Sequence, residues 1–218
     1  ETETIVLTFD AVSTGCQTLY DYDGNAYSTV VMGNQCWMRE NLRTTHTSMG
    51  EPISDYAYPN HPENNYGYNS DVSVAVTYGL LYNWNAMMNG GTSSNAVPSG
   101  VQGICPDGWH LPSDREWKNL EIYAGMDSVV ANDSGYRSNM AITLCDTLGW
   151  LPSSVLYAPG NMNASYRNVT GFSVRPAGIS RDQISLWHGE CTFFWTASTI
   201  TVGGTTGYWY RSLWNNSH

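Results

Sequence analysis

The chain has 218 residues, nine Lys+Arg against 19 Asp+Glu, a formal net charge of -10 at pH 7 and only 13% charged residues, against about 25% in an ordinary soluble domain. Its single lysine, Lys118, lies outside any Gly-rich loop, which excludes a phosphate-cradling G-x-x-x-x-G-K-[ST]. The acid excess excludes a duplex nucleic-acid binder, which needs basic side chains to displace phosphate counterions, and no apolar run reaches the roughly 18 residues of a membrane span.

In chain order, the β-branched stretch from Thr4 to Phe9 reads as a short strand. Asp21 to Asn25 is a turn, Tyr27 to Met32 a strand, Gly33-Asn34-Gln35 a second turn, and Cys36-Trp37-Met38 extended again, which makes a hairpin or meander. Glu51 to Val72, with Pro52, Pro59 and Pro62, is a long loop carrying Tyr56, Tyr58, Tyr66 and Tyr68. A helix is expected between Tyr78 and Met88, stopped by Gly90-Gly91. The clearest helix follows Pro112: Ser113 is the N-cap, Glu116 completes an S-x-x-E capping box, and Gly125 terminates it. Ala141 to Leu148 is a second short helix. Strands then follow at 172–174, 192–196 and 206–213, the last two separated by Gly203-Gly204. The fold class is α+β: a single domain of mixed or antiparallel sheet with one or two helices and long loops.

Solubility rests on Asn, Ser, Thr, Gly and Tyr, and 15 Tyr with nine Trp supply rings that carry polar tips, a chemistry suited to contact surfaces. The chain opens Glu-Thr-Glu-Thr with neither a basic n-region nor an apolar h-region. A mature or excised segment of a secreted or cell-surface protein is expected. In that setting Cys16, Cys36, Cys105, Cys145 and Cys191 are disulfide candidates, with connectivity open. None forms C-x-x-C, and neither H-x-x-x-H nor H-E-x-x-H occurs, so neither a metal site nor a cofactor is expected. His110 is expected to hydrogen-bond backbone. Asp21, Asp23 and Asn25 alternate like the start of a calcium loop, but position 12 of that loop is Met32, which favours a plain turn. No residue is nominated as a catalytic base.

Six ordered blocks resemble a known family: Asp21–Thr45, Tyr78–Trp84, Cys105–Trp117 (Cys-Pro-Asp-Gly-Trp-His-Leu-Pro-Ser-Asp-Arg-Glu-Trp), Gly171–Gly178, Phe194–Ser198 and Trp209–Leu213. Together they closely resemble the Fibrobacter succinogenes major paralogous domain, a family of secreted proteins abundant in Bacteroidota. The resemblance covers residues 19–218 and leaves 1–18 as a lead-in strand. It implies a fold like C-type lectins and formylglycine-generating enzymes, with paired terminal strands. Relatives continue into a further C-terminal strand bearing a cysteine, so the resemblance implies a sixth cysteine and a strand beyond His218. Glu51-Pro52-Ile53 and Trp214-Asn215-Asn216 only echo the calcium-binding motifs of lectins.

The expected function is a non-enzymatic recognition or structural module, an adhesin or fibre subunit whose partners are other surface proteins or copies of itself. Glycans are the alternative ligand, and formylglycine-type catalysis, which needs two adjacent accessible thiols, is a third reading. Tyr56, Tyr58, Tyr66, Tyr68 and Trp214 are the expected ligand or partner contacts. Ile5, Val6, Leu7 and Phe9 are the expected strand-edge contacts, offered to a neighbouring copy.

Overall fold

The computed structural model describes residues 8–10, 16–54, 56–57, 72–162, 165–181 and 184–217. The order is β1 (Thr8–Asp10), β2 (Leu19–Tyr20), β3 (Ala26–Tyr27), β4 (Thr29–Met32), β5 (Gln35–Met38), β6 (Tyr56–Ala57), α1 (Val72–Tyr78), β7 (Leu81–Tyr82), α2 (Trp84–Met88), α3 (Asp114–Tyr123), a 3-10 turn (Val130–Asn132), α4 (Ala141–Leu144), β8 (Ile179–Arg181), β9 (Ile184–Leu186), β10 (Cys191–Val202) and β11 (Thr205–Trp214). The class is α+β. Instead of one sheet, the strands form several small antiparallel ones: β1-β5-β4, β2-β3, β6-β7, β8-β9 and the long hairpin β10-β11.

Turn chemistry sets the two clearest hairpins. Met32 pairs with Gln35 across a two-residue loop whose Gly33 sits at φ +66°. Val202 pairs with Thr205 across Gly203-Gly204, both at positive φ. Glycine reaches that region without a Cβ clash, and such tight turns match the twist of the strands.

Two cores flank the long hairpin. One gathers Tyr27, Met38, Leu42, Leu80, Tyr82 and Trp195. The other gathers Trp37, Trp117, Leu120, Phe172, Phe194 and Leu213. Phe194 and Trp195 are neighbours in β10, so their side chains leave opposite faces of the sheet and anchor one core each. Trp117 stacks on Phe194 with centroids 5.3 Å apart, which seats α3 against the hairpin.

Several expectations change. The helix predicted from Tyr78 is interrupted: Gly79, at φ +76°, ends α1, and a Cβ there would lie 2.4 Å from that of Asn41. Leu81–Tyr82 then pairs with Tyr56–Ala57 as a strand before Asn83 caps α2 by accepting from Ala86 N at 2.8 Å. The predicted strand at 172–174 is a single bridge between Cys145 and Val174, because Ser173 sits at φ +68° and interrupts extended backbone. Residues 8–10 pair with β5, Phe9 opposite Cys36, and β1 is the edge strand of its sheet. Ile5, Val6 and Leu7 lie outside the described residues.

Cys16 and Cys36 form a disulfide across a sequence separation of 20, tying the lead-in to β5. A loop of this size contributes about 3 kcal/mol by restricting the unfolded chain. Cys105, Cys145 and Cys191, expected as disulfide candidates, are buried thiols instead. One bridge and three thiols account for the odd total.

Candidate functional site

The geometry that stands out belongs to the β10–β11 hairpin and what it packs against. Cross-strand pairs of an antiparallel sheet project from the same face. Phe193 opposes Ser212, Trp195 opposes Tyr210, and Thr199 opposes Tyr208. The register slips between Trp195 and Thr199, so β10 spends four residues where β11 spends two, and the parity of the faces is kept. The slipped residues tie the hairpin to its surroundings: Ala197 N donates to Pro112 O at 2.8 Å, Ser94 N donates to Ala197 O at 2.9 Å, and Asp114 N donates to Ser198 Oγ at 2.9 Å.

One face of the hairpin carries a continuous ladder of rings. Trp187 meets Trp214 at 5.5 Å, Trp214 meets Phe193 at 5.7 Å, and Phe193 meets Tyr210 at 5.5 Å. Tyr210 and Tyr208 both meet Trp195 edge-on at 6.3 and 6.2 Å, and Tyr208 stacks on Trp84 at 4.3 Å. Two indoles are pinned by backbone acceptors: Trp195 Nε1 donates to Tyr82 O at 3.0 Å and Trp84 Nε1 to Thr196 O at 3.0 Å. Trp187, Tyr208 and Tyr210 remain 39%, 42% and 47% exposed. The ladder is therefore rigid at its roots and open at its tips.

The opposite face meets α3 through charge. Arg211 Nε donates to Glu121 Oε1 at 2.7 Å and Arg211 Nη2 to Asp114 Oδ1 at 2.8 Å. Arg137 Nη2 shares Glu121 Oε1 at 2.7 Å, and Lys118 Nζ reaches Asp114 Oδ2 at 3.0 Å. Burial opposes ionisation of Asp114, but Arg211 and Lys118 outweigh it and hold its carboxyl below the usual value. Glu121 Oε2 is buried and has no hydrogen-bond partner among the described residues. These groups floor a cleft of about 610 Å³ bounded by α3, by residues 132–141 and by every residue of β11 from Gly207 to Trp214.

Start and orientation of α3 are set by its own first turn. Ser113 Oγ accepts from Glu116 N at 3.2 Å, and Ser113 N donates to Glu116 Oε2 at 2.9 Å, which is the expected capping box. Glu116 is fully buried and also takes Ser99 N at 3.1 Å and Gln35 Nε2 at 3.1 Å. His110 Nε2 lies 2.8 Å from Glu116 Oε1, so His110 pairs with a carboxylate rather than with backbone. The network is a structural pin, fully enclosed and away from the ladder.

Of the expected contact residues, Trp214 is part of the ladder. Tyr56 contributes backbone to β6, its side chain lying outside the described residues together with Tyr58, Tyr66 and Tyr68. Trp84, Trp187, Phe193, Trp195, Tyr208 and Tyr210 were not expected as a site. The signal for four of them was present: rings at every second position, 193 and 195 on one strand and 208 and 210 on the other, are what one sheet face requires. Trp84 and Trp187 join from other segments and carried no such signal.

Asp21 and Asp23 form turns. Asp21 accepts from Asn25 N at 2.8 Å and from the Tyr27 hydroxyl at 2.6 Å. Asp23 lies 2.5 Å from His46 Nδ1. Burial opposes ionisation of Asp23, while donors from Thr45 and His46 outweigh it and lower its pKa. Among the described residues no group of three or more His, Cys, Asp or Glu is placed to hold a metal ion. Burial pushes the Cys105 and Cys145 thiols well above their usual range. Among the described residues no helix is long and apolar enough to cross a membrane.

No curated protein and no solved structure matches the chain. The model of the Fibrobacter succinogenes major domain matches residues 30–217, a span that takes in α3, the cleft and the whole hairpin with its ladder. The chain belongs to the Fibrobacter succinogenes major domain family.

Proposed function

We propose that this protein is a non-enzymatic, secreted or cell-surface recognition module of the adhesin or fibre-subunit kind, and that it makes its contacts through the β10–β11 hairpin. The observation that carries the reading is the ladder from Trp84 to Trp187, with Tyr208 and Tyr210 half exposed. Rings held rigid from below lose little side-chain entropy on contact, and Tyr and Trp combine apolar area with a polar tip. A disulfide between Cys16 and Cys36 suits an oxidising, extracytoplasmic setting. Buried thiols with raised pKa do not supply the accessible thiolate that cysteine catalysis uses.

The test is binding of the full chain to immobilised surface proteins and whole cells, comparing wild type with Tyr208→Ser/Tyr210→Ser. Loss of binding in a variant with unchanged thermal unfolding supports the reading. Equal binding by both proteins sinks it. The same ladder favours a second reading, carbohydrate binding, because flat neutral rings stack on sugar faces. A glycan array separates the two: a saturable hit abolished by the double variant selects the sugar.

A further inference from the structure

Glu121 lines the cleft and carries a buried carboxylate oxygen with no hydrogen-bond partner among the described residues. The Glu121 side chain is only 7% exposed, and both guanidinium contacts, from Arg137 and Arg211, fall on Oε1, leaving Oε2 without a partner. A buried acceptor left unmade costs about 1–3 kcal/mol, so this part of the wall gains nothing from a further charge. The wall beside it is a strand edge. Among the described residues β11 pairs only with β10, and all eight consecutive positions from Gly207 to Trp214 line the cleft. Side chains of a strand alternate between faces, so a cavity touched by every residue in sequence lies along the backbone edge, where unpaired N–H and C=O groups await a partner.

We propose that this cleft receives one extended, uncharged peptide segment of a partner protein, added as a strand on the outer edge of β11. The proposal rests on the reading of the chain as a recognition module and names what its hairpin edge takes. Three observations select the occupant. Residues 132–141 close the far side of the cleft, so a single segment fits where the hairpin of a second copy, with its own packed helix, does not. This chain's residues 8–10 are already paired with β5, which argues against the N-terminal strand of another copy as the donor. The charges lining the cleft balance, with Asp114, Glu121 and Asp133 against Lys118, Arg137 and Arg211. A charged side chain on the segment would enter without a counter-charge. Hydroxyl, amide and backbone groups enter at no such cost.

The experiment uses the full chain and an array of Pro-free peptides of the length of β11, 10 residues, built from Val, Ile, Thr, Ser, Asn and Gln. Matched arrays carry one Lys or one Glu at the centre, and the peptide spanning 3–12 of this chain is included. Binding is read by fluorescence anisotropy. Uncharged peptides are expected to bind, and N-methylation at alternate residues, which removes the ladder donors, to weaken them at least about tenfold. Ser138→Trp, which places a bulky ring among the residues lining the cleft, is expected to do the same in a variant with an unchanged unfolding curve.

No binding at about 1 mM peptide, or binding indifferent to Ser138→Trp, overturns the proposal. So does preference for the charged arrays or for the 3–12 peptide. If Tyr208→Ser/Tyr210→Ser abolishes surface binding while Ser138→Trp leaves it intact and no peptide binds, the recognition reading stands and the cleft proposal falls. If peptides bind but the surface assay is blank, the failure lies with the adhesin reading.

Discussion

Asp114 shows how one side chain serves both ends of the site. Its backbone N–H is fixed by Ser198, and its carboxylate joins Arg211 of β11 to Lys118 one turn along α3. The folded-state pKa is depressed, so the sign follows from linkage. This pairing contributes in full above the unfolded Asp value of about 3.9 and is lost as pH falls below it toward the lower folded value. Asp114→Asn is expected to cost about 3 kcal/mol at pH 7, because it leaves Arg211 short of a buried partner. Its stability should decline less steeply than wild type through the acid limb, below about pH 4. Urea unfolding at a series of pH values checks both the offset and the slope. Parallel acid limbs in the two proteins would assign the acid sensitivity to other carboxylates.

Among the elements, α3 and the β4–β5 hairpin hold the body together from two sides. Glu116 reaches from the first turn of α3 to Gln35 in β5 and to Ser99 in the loop before it. Cys16 clamps the lead-in to the same strand. Two different losses are therefore expected. Cys16→Ser removes the chain constraint and lowers stability by about 3 kcal/mol, seen as a lower Tm with no change in the native spectrum. Glu116→Ala deserts two backbone donors, a glutamine and a histidine together. It is expected to cost about 4 kcal/mol or more, at the diagnostic end of single substitutions. Ser113→Ala, which loses only the cap, is expected to cost about 1 kcal/mol.

At the scale of the whole molecule, the two cores meet across β10, and two of the three thiols lie within them. Cys105 belongs to one cluster and Cys145 to the other, both fully covered and hard to ionise. Local motion at the surface exposes neither. Native protein is therefore expected to give no reaction with an aromatic disulfide reagent, and unfolded, non-reduced protein to give three thiols per chain, those of Cys105, Cys145 and Cys191. A native reaction would place at least one of them on a mobile, solvent-open segment and would revive cysteine chemistry as a function. A reagent count of one after unfolding would instead reveal a second disulfide.

What the sequence by itself determined was local. The Ser113–Glu116 capping box, the Gly33-Asn34 and Gly203-Gly204 turns and the two long strands beside the latter are written in residues close in the chain, because caps and turns satisfy backbone groups within a few positions. The six blocks carried the family. Tertiary structure decided what depends on residues far apart. Leu81–Tyr82 became a strand because burial and pairing with β6 overrode a helical pattern, and Val72–Tyr78 became a helix despite its β-branched residues. Only Cys16 and Cys36 bonded, since a disulfide needs Cα atoms close together, here 5.7 Å, and spacing along the chain does not give that distance. The ladder drew Trp84 and Trp187 from separate segments onto one sheet face. The cleft arose from the free edge of β11 meeting α3 and residues 132–141. The sequence thus pointed to many rings suited to contact, and packing chose which rings share one sheet face and which strand edge borders the cleft.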